Sequence, residues 1–127
     1  MKTAIVILNW NTEGFLREFL PGLLRSVADE DGAEVIVADN GSTDGSLTVM
    51  REEFPQVRTI AFNRNHGFTG GYNKAFEEIY GTAEAPLENA PEYFLLINSD
   101  IEVTEGWLRP LTQWMDSHPD CGACAPK

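Results

Sequence analysis

The sequence predicts an α/β fold: a mostly parallel sheet with helices on both faces. Three observations carry that prediction. Short apolar runs alternate with stretches of helical period along the whole chain, the pattern that yields a parallel sheet with right-handed crossovers. The runs at 4–8, 34–39 and 93–98 are nearly continuous in Val, Ile and Leu, as strands buried on both sides should be. Three short polar signatures follow apolar runs, and ligands of open α/β sheets bind at the carboxyl ends of the strands.

The elements follow in order. The first strand, 4–8, comes directly after Met1-Lys2-Thr3; it is too short for a secretory signal and no small-residue cleavage site follows it. Phe15, Leu16, Phe19, Leu20, Leu23, Leu24 and Val27 then form a helical stripe, which Pro21 is expected to kink or break. A second strand covers 34–39. Leu47, Val49, Met50 and Phe54 predict a second helix, capped by Ser42 or Asp44. The third strand is 57–62. Tyr72, Ala75, Phe76, Ile79 and Tyr80 predict a third helix starting near Thr69. Residues 81–91, rich in Gly, Ala, Pro, Glu and Asn, read as a loop. The fourth strand is 93–98, and Trp107, Leu108, Leu111, Trp114 and Met115 predict a fourth helix capped by Thr104. Trp107 and Trp114 are expected in the core beside Leu108 and Leu111. A fifth strand is expected at 121–125, where the chain ends as though its domain continued.

The chain has 127 residues, the size of one modest domain, and a net charge of −11. That charge repels nucleic acid and anionic membranes at long range. No apolar stretch is long enough to span a bilayer, so the expected compartment is the cytosol. The charge is unevenly placed. No Asp or Glu lies between Glu53 and Glu77, whereas Arg58, Arg64, His66 and Lys74 do; this predicts a local anion-facing surface.

The signatures suggest distinct chemistries. In Val37-Ala38-Asp39-Asn40-Gly41-Ser42-Thr43-Asp44-Gly45-Ser46, Asp39 ends a strand, where a carboxylate can accept hydrogen bonds from a ribose or a base, or can simply cap the turn. In Asn65-His66-Gly67-Phe68-Thr69-Gly70-Gly71-Tyr72-Asn73, the glycines bare the backbone at a helix start. That suits close approach of an anion or close packing of helix on sheet. In Leu95-Leu96-Ile97-Asn98-Ser99-Asp100, Asp100 at a strand tip suits a divalent cation that bridges phosphates. Trp10, between Asn9 and Asn11 after the first strand, could stack on a base or join the core. Cys121-Gly122-Ala123-Cys124 is discounted as a metal or redox pair, since two thiols do not complete a zinc site. The two histidines, His66 and His118, stand in no evident Ser or Cys nucleophile motif, which gives hydrolase chemistry little support.

Taken together and in order, these motifs resemble the family 2 glycosyltransferases, in particular their rhamnosyltransferase-like branch. Leu8-Asn9-Trp10-Asn11 is similar to the family's first-strand end, the Asp39 string to its second motif, the Gly67 region to its third, and Asn98-Ser99-Asp100 stands where its metal motif falls. The resemblance implies a Rossmann-like GT-A three-layer sandwich of which this chain, 1–127, is the N-terminal nucleotide-sugar-binding part. It implies that Asp39 contacts the nucleoside and Trp10 the base. Leu8, Asn9, Asn11, Gly67, Gly71 and Asn98 would line the donor site, and Asp100 would hold Mg²⁺ or Mn²⁺ against the donor diphosphate. The implied partners are a nucleotide-diphosphate sugar and a glycan or lipid-linked acceptor, reached at the inner face of the membrane. The implied reaction is inverting sugar transfer. Asn98 replaces the motif's first carboxylate, which weakens the expected metal site. The general base falls beyond the matched region, so the piece alone is expected to be inactive. An open sheet edge invites pairing between copies.

The alternative with the same site is a non-catalytic nucleotide-sugar binding module. A nucleotidyltransferase would want a glycine- and lysine- or arginine-rich loop where Asn9-Trp10-Asn11-Thr12-Glu13 stands. A dinucleotide oxidoreductase would want glycines in the first turn.

Overall fold

The computed structural model describes residues 1–126. Its elements alternate as the periodicity predicts: β1 (Thr3–Asn9), α1 (Glu13–Ser26), β2 (Ala33–Asp39), α2 (Ser46–Glu53), β3 (Arg58–Ala61), α3 (Gly67–Tyr80), β4 (Tyr93–Ile97) and α4 (Leu108–Ser117). The strands form one sheet in the order β3-β2-β1-β4, and every pairing is parallel.

That order explains the layers. The chain steps from β1 to β2 to β3 in one direction, then returns past its start to place β4 on the far side of β1. Right-handed crossovers in opposite directions put their helices on opposite faces. Accordingly α1 and α2 pack on one face, where Leu16, Leu20, Leu23, Val49 and Met50 meet Ile5, Ile7, Val35 and Val37, and Leu108 of α4 joins them. α3 alone covers the other face, where Tyr72, Ala75 and Ile79 meet Ala4, Val6, Ile36 and Ala38. Successive residues of β1 serve opposite faces, as a pleated strand requires, and each large aliphatic side chain buried in this way contributes about 1.5–3 kcal/mol.

Several local expectations are corrected. Pro21 does not break α1, which runs on to Ser26; Leu20 and Leu23 on either side of it in sequence are buried in the core, and tertiary burial holds the helix through the missing amide bond. α3 starts at Gly67, earlier than Thr69. α4 is preceded by Trp107 rather than capped by Thr104. Trp114 is exposed and stacks on His118 instead of entering the core, while Trp107 is partly buried and donates its indole N–H to Ser26 Oγ at 2.9 Å. No strand forms at 121–125; Cys121 is half-buried and Cys124 exposed. A fifth strand needs a neighbour's ladder of hydrogen bonds, and none is offered to this segment among the described residues. No helix among them is long and apolar enough to cross a membrane.

Candidate functional site at the carboxyl edge

The point where the strand order reverses lies between β1 and β4, and such switch points open a crevice at the strands' carboxyl ends. Four turns meet along this edge. Side-chain hydrogen bonds tie each to a neighbour.

The first two turns share a buried network. Asn9 is fully buried; its Nδ2 donates to Asp39 Oδ1 at 3.0 Å and its Oδ1 accepts from Thr12 Oγ1 at 2.6 Å. Asp39 is 1% exposed, and also accepts from the Ser42 amide at 2.9 Å and the Ser42 hydroxyl at 2.7 Å. The sequence reading turns Asp39 toward a nucleoside. In the structure its carboxylate faces inward and builds the turn, with three donors on its roughly four lone-pair sites. Asn9 likewise is committed to the protein.

The helix starts are capped across the two turns. Neither α1 nor α2 is capped by its own N-cap side chain. Instead Asp44 Oδ2 accepts from the Glu13 amide at 3.2 Å, and Glu13 Oε1 accepts from the Gly45 amide at 3.3 Å. Asp44 Oδ1 also accepts from the amide and hydroxyl of Ser46. Burial pushes the Asp44 carboxyl up, but these bonds from Ser46 and Glu13 outweigh it and hold the group below the usual carboxylate range. The sequence expectation of Ser42 or Asp44 as a simple N-cap of α2 is thus corrected: Gly45 occupies that position.

The third turn is tied to the second. Asn40 is 2% exposed; its Nδ2 donates to Asn65 Oδ1 and to the Gly67 carbonyl, and its Oδ1 accepts from the His66 amide at 2.9 Å. Gly41 sits at φ 76°, and a Cβ there would lie 2.7 Å from Arg64 Cα. Gly71 is buried, and its Cβ would lie 2.7 Å from Leu8 Cδ1, so Gly71 serves close packing of α3 on β1 and leaves Leu8 half-buried beneath it. Gly67 is the open glycine, at φ 76° with nothing near its missing side chain. His66 is held below its usual pKa by burial, then by the charges of Arg64 and Lys74.

The fourth turn meets the first across the switch point, where Thr12 Oγ1 and Ser99 Oγ are 3.2 Å apart. Asn98 and Asp100 on either side of Ser99 are exposed, as are Trp10, at 51%, and Asn11. Trp10 is therefore no core residue. Among the described residues no three His, Cys, Asp or Glu side chains gather into a metal cluster. A single exposed carboxylate at Asp100 fits a cation whose other ligands are phosphates and water. Two concavities, one including Phe19, Arg25 and Val103 and one including Met50, Val57 and Thr59, involve none of these edge residues. Sequence reasoning did not single out Thr12, Asn40 or Ser99. The spacing Asp39-Asn40-Gly41-Ser42, a carboxylate three residues before a hydroxyl with glycine between, was the signal that could have found the turn network.

An all-parallel sheet with helices on both faces, its strand order reversing between β1 and β4, defines a doubly wound α/β domain. The family described as Glycosyl transferase family 2 matches residues 4–126, and the chain belongs to it. It is 28% identical over 125 residues to an N-acetylglucosaminyl-diphospho-decaprenol L-rhamnosyltransferase of Mycobacterium tuberculosis, spanning 96% of this chain and 39% of that protein. In fold it is similar to Staphylococcus aureus TarS 1–349 in complex with UDP-GlcNAc (TM-score 0.71, 21% identity, covering 100% of this chain and 37% of that one). It is also similar to a mannosyltransferase of Pyrobaculum calidifontis in complex with GDP-Man and Mn²⁺ (TM-score 0.67, 19% identity, 90% and 32%). The chain thus spans about two fifths of the first of these proteins and less of the others. The GT-A fold is the one the sequence predicts.

Proposed function

We propose that this chain is the donor-binding part of an inverting family 2 glycosyltransferase, which transfers a sugar from a nucleotide-diphosphate sugar to a glycan or lipid-linked acceptor. One observation carries the reading. Exposed Trp10 and exposed Asp100 flank the Thr12–Ser99 contact that joins the first and fourth turns at the switch point. The aromatic offers a face to a base, and the carboxylate offers a hard oxygen ligand to a cation.

The chain's residues divide the work. Trp10 stacks on the base. Gly67 and the start of α3, flanked by Arg64 and Lys74, receive negative charge from the donor. Asp39 and Asn9 hold the turn from behind, so their contribution to the nucleoside is mainly through the shape they impose. Asp100, in the Asn98-Ser99-Asp100 turn, would hold Mg²⁺ or Mn²⁺; when bound, the cation would neutralise charge on the departing diphosphate. No residue of this chain is assigned as general base; that carboxylate is expected beyond it. The lipid-linked acceptor is supported by the name of the mycobacterial relative, which acts on a diphospho-decaprenol.

The test is isothermal titration of UDP, dTDP and GDP into the chain, with and without Mn²⁺, for the wild type and Asp100→Ala. Binding of one nucleotide that needs both the metal and Asp100 is expected. Absence of binding under every condition overturns the donor-site reading for this chain.

A further inference from the structure

The residue that stands out beyond the donor-site reading is Asn11. It has φ 52°, a left-handed conformation that asparagine tolerates better than most residues. Such backbone persists only where its surroundings over-determine it, and here they do. Asn11 Oδ1 accepts from the Thr43 amide at 2.7 Å and the Asp44 amide at 3.1 Å, while the Asn11 amide donates to Ser42 Oγ at 2.9 Å. The side chain expected to line the donor site is thus spent on the second turn, at the exposed end of the edge.

Its consequence falls on Trp10. On one side of Trp10 the backbone is pinned by fully buried Asn9, bonded to Asp39 and Thr12. On the other it is pinned by Asn11. Trp10 between them is 51% exposed. An aromatic held outward by a backbone fixed on both sides loses little freedom when a flat ring settles on it, and that saving appears as affinity. Without the second pin, the turn from Trp10 to Thr12 could relax from its left-handed conformation, and the ring would have to be ordered by the ligand.

We infer that Asn11 is a positioning residue: by accepting the amide hydrogens of Thr43 and Asp44 it locks the first turn onto the second and presents Trp10 as a preformed platform for a nucleotide base. The inference rests on the donor-site reading for its ligand. The lock itself does not depend on that reading.

The experiment compares the wild type with Asn11→Ala, Asn11→Gly and Asn11→Asp in chain labelled with 5-fluorotryptophan. The Trp10 resonance is assigned by Trp10→Phe, and the resonances of Trp107 and Trp114 report on the fold elsewhere. In Asn11→Ala the Trp10 resonance moves toward that of an unfolded chain, the other two stay in place, and the amides of Thr43 and Asp44 exchange faster. The affinity for whichever of UDP, GDP and dTDP the wild type binds falls about tenfold, as loss of the two bonds accepted by the Asn11 side chain would give. Asn11→Gly meets the backbone demand but has no acceptor, and behaves like Asn11→Ala. Asn11→Asp keeps the acceptor and stays within about threefold of the wild type. Wild-type affinity and an unmoved Trp10 resonance in Asn11→Ala or Asn11→Gly overturn the inference. So does an equal loss in Asn11→Asp and Asn11→Ala. If the wild type binds none of the three nucleotides, the donor-site reading falls alone, and the Trp10 resonance and the two amide exchange rates still decide the lock.

Discussion

The two ends of the sheet are both closed by polar side chains, and they are built differently. At the carboxyl edge Asn9, Asp39, Asn40 and Ser46 are each at most 2% exposed, and among the described residues every buried side-chain nitrogen and oxygen has a partner. At the amino edge Lys2 bridges Asp116 at 2.7 Å, and the Tyr93 hydroxyl donates to the same carboxylate. The side chains of that ion pair are 40% and 43% exposed. Burying polar groups is costly unless all of them are satisfied, whereas exposed ion pairs contribute little and shift easily. The carboxyl edge therefore specifies one arrangement of its turns, and the amino edge merely tolerates one. That contrast is the one expected if the ligand of the proposed function binds at the carboxyl edge.

The most severe test of that contrast is Gly41→Ala. The new Cβ would require φ 76° and would run into the backbone of Arg64, which cannot rotate away as a side chain could. The expected loss of stability is about 3–5 kcal/mol, from left-handed strain together with overlap. Thermal or urea unfolding measures it, and a neutral result would mean that the second and third turns separate freely.

A smaller loss is expected of Asp39→Asn, which preserves shape but turns an NH₂ group toward donors that now face an oxygen. Either Asn9 Nδ2 or the Ser42 amide loses its acceptor, at about 1–3 kcal/mol. Nucleotide affinity should fall with it if the carboxylate works by shaping the turn. Full stability with lost affinity would instead place Asp39 in direct contact with the ligand.

The sequence makes the sheet legible because buried parallel strands leave continuous apolar runs, and it makes the edge legible because three polar strings follow such runs. The roles within the edge are less legible. Asp39 and Asn11 look like ligand contacts in the sequence, since a polar residue at a strand's end reads the same whether it faces solvent or the neighbouring turn. The register of β1 with β2 sets Asn9 opposite Asp39, and the bonds of Asp39 and Asn11 to neighbouring turns come from that three-dimensional placement rather than from any sequence pattern. Trp10 and Trp114 show the same limit in reverse. Trp114 shares a helical face with Leu111, yet Leu108 is the one residue of α4 that the core buries. Gly71 and Gly67 belong to one motif, and packing against Leu8 separates them.

The smallest effect is expected at the amino edge, and its pH dependence has a definite shape. The hydrogen bond to Asp116, more than burial, pushes the Tyr93 phenol up to about 12. Lys2 is raised mainly by the same carboxylate, and Asp116 is lowered by its bonds from Lys2 and Tyr93. A raised group stabilises the fold fully below its unfolded pKa and ceases to do so as pH climbs through the folded value. Tyr93 and Lys2 therefore contribute up to ordinary tyrosine and lysine values, and their contribution fades above them. Asp116 contributes above the ordinary carboxylate value, and its share fades as pH falls below that. Between those limits this cluster makes stability flat in pH. Asp116→Ala should bring one phenolate absorbance step down from about 12 toward the usual value of 10.0, with almost no change in melting temperature at neutral pH. If the same variant instead destabilises the chain as much as Asp39→Asn does, the amino edge is as tightly specified as the carboxyl edge, and rigidity no longer marks the site.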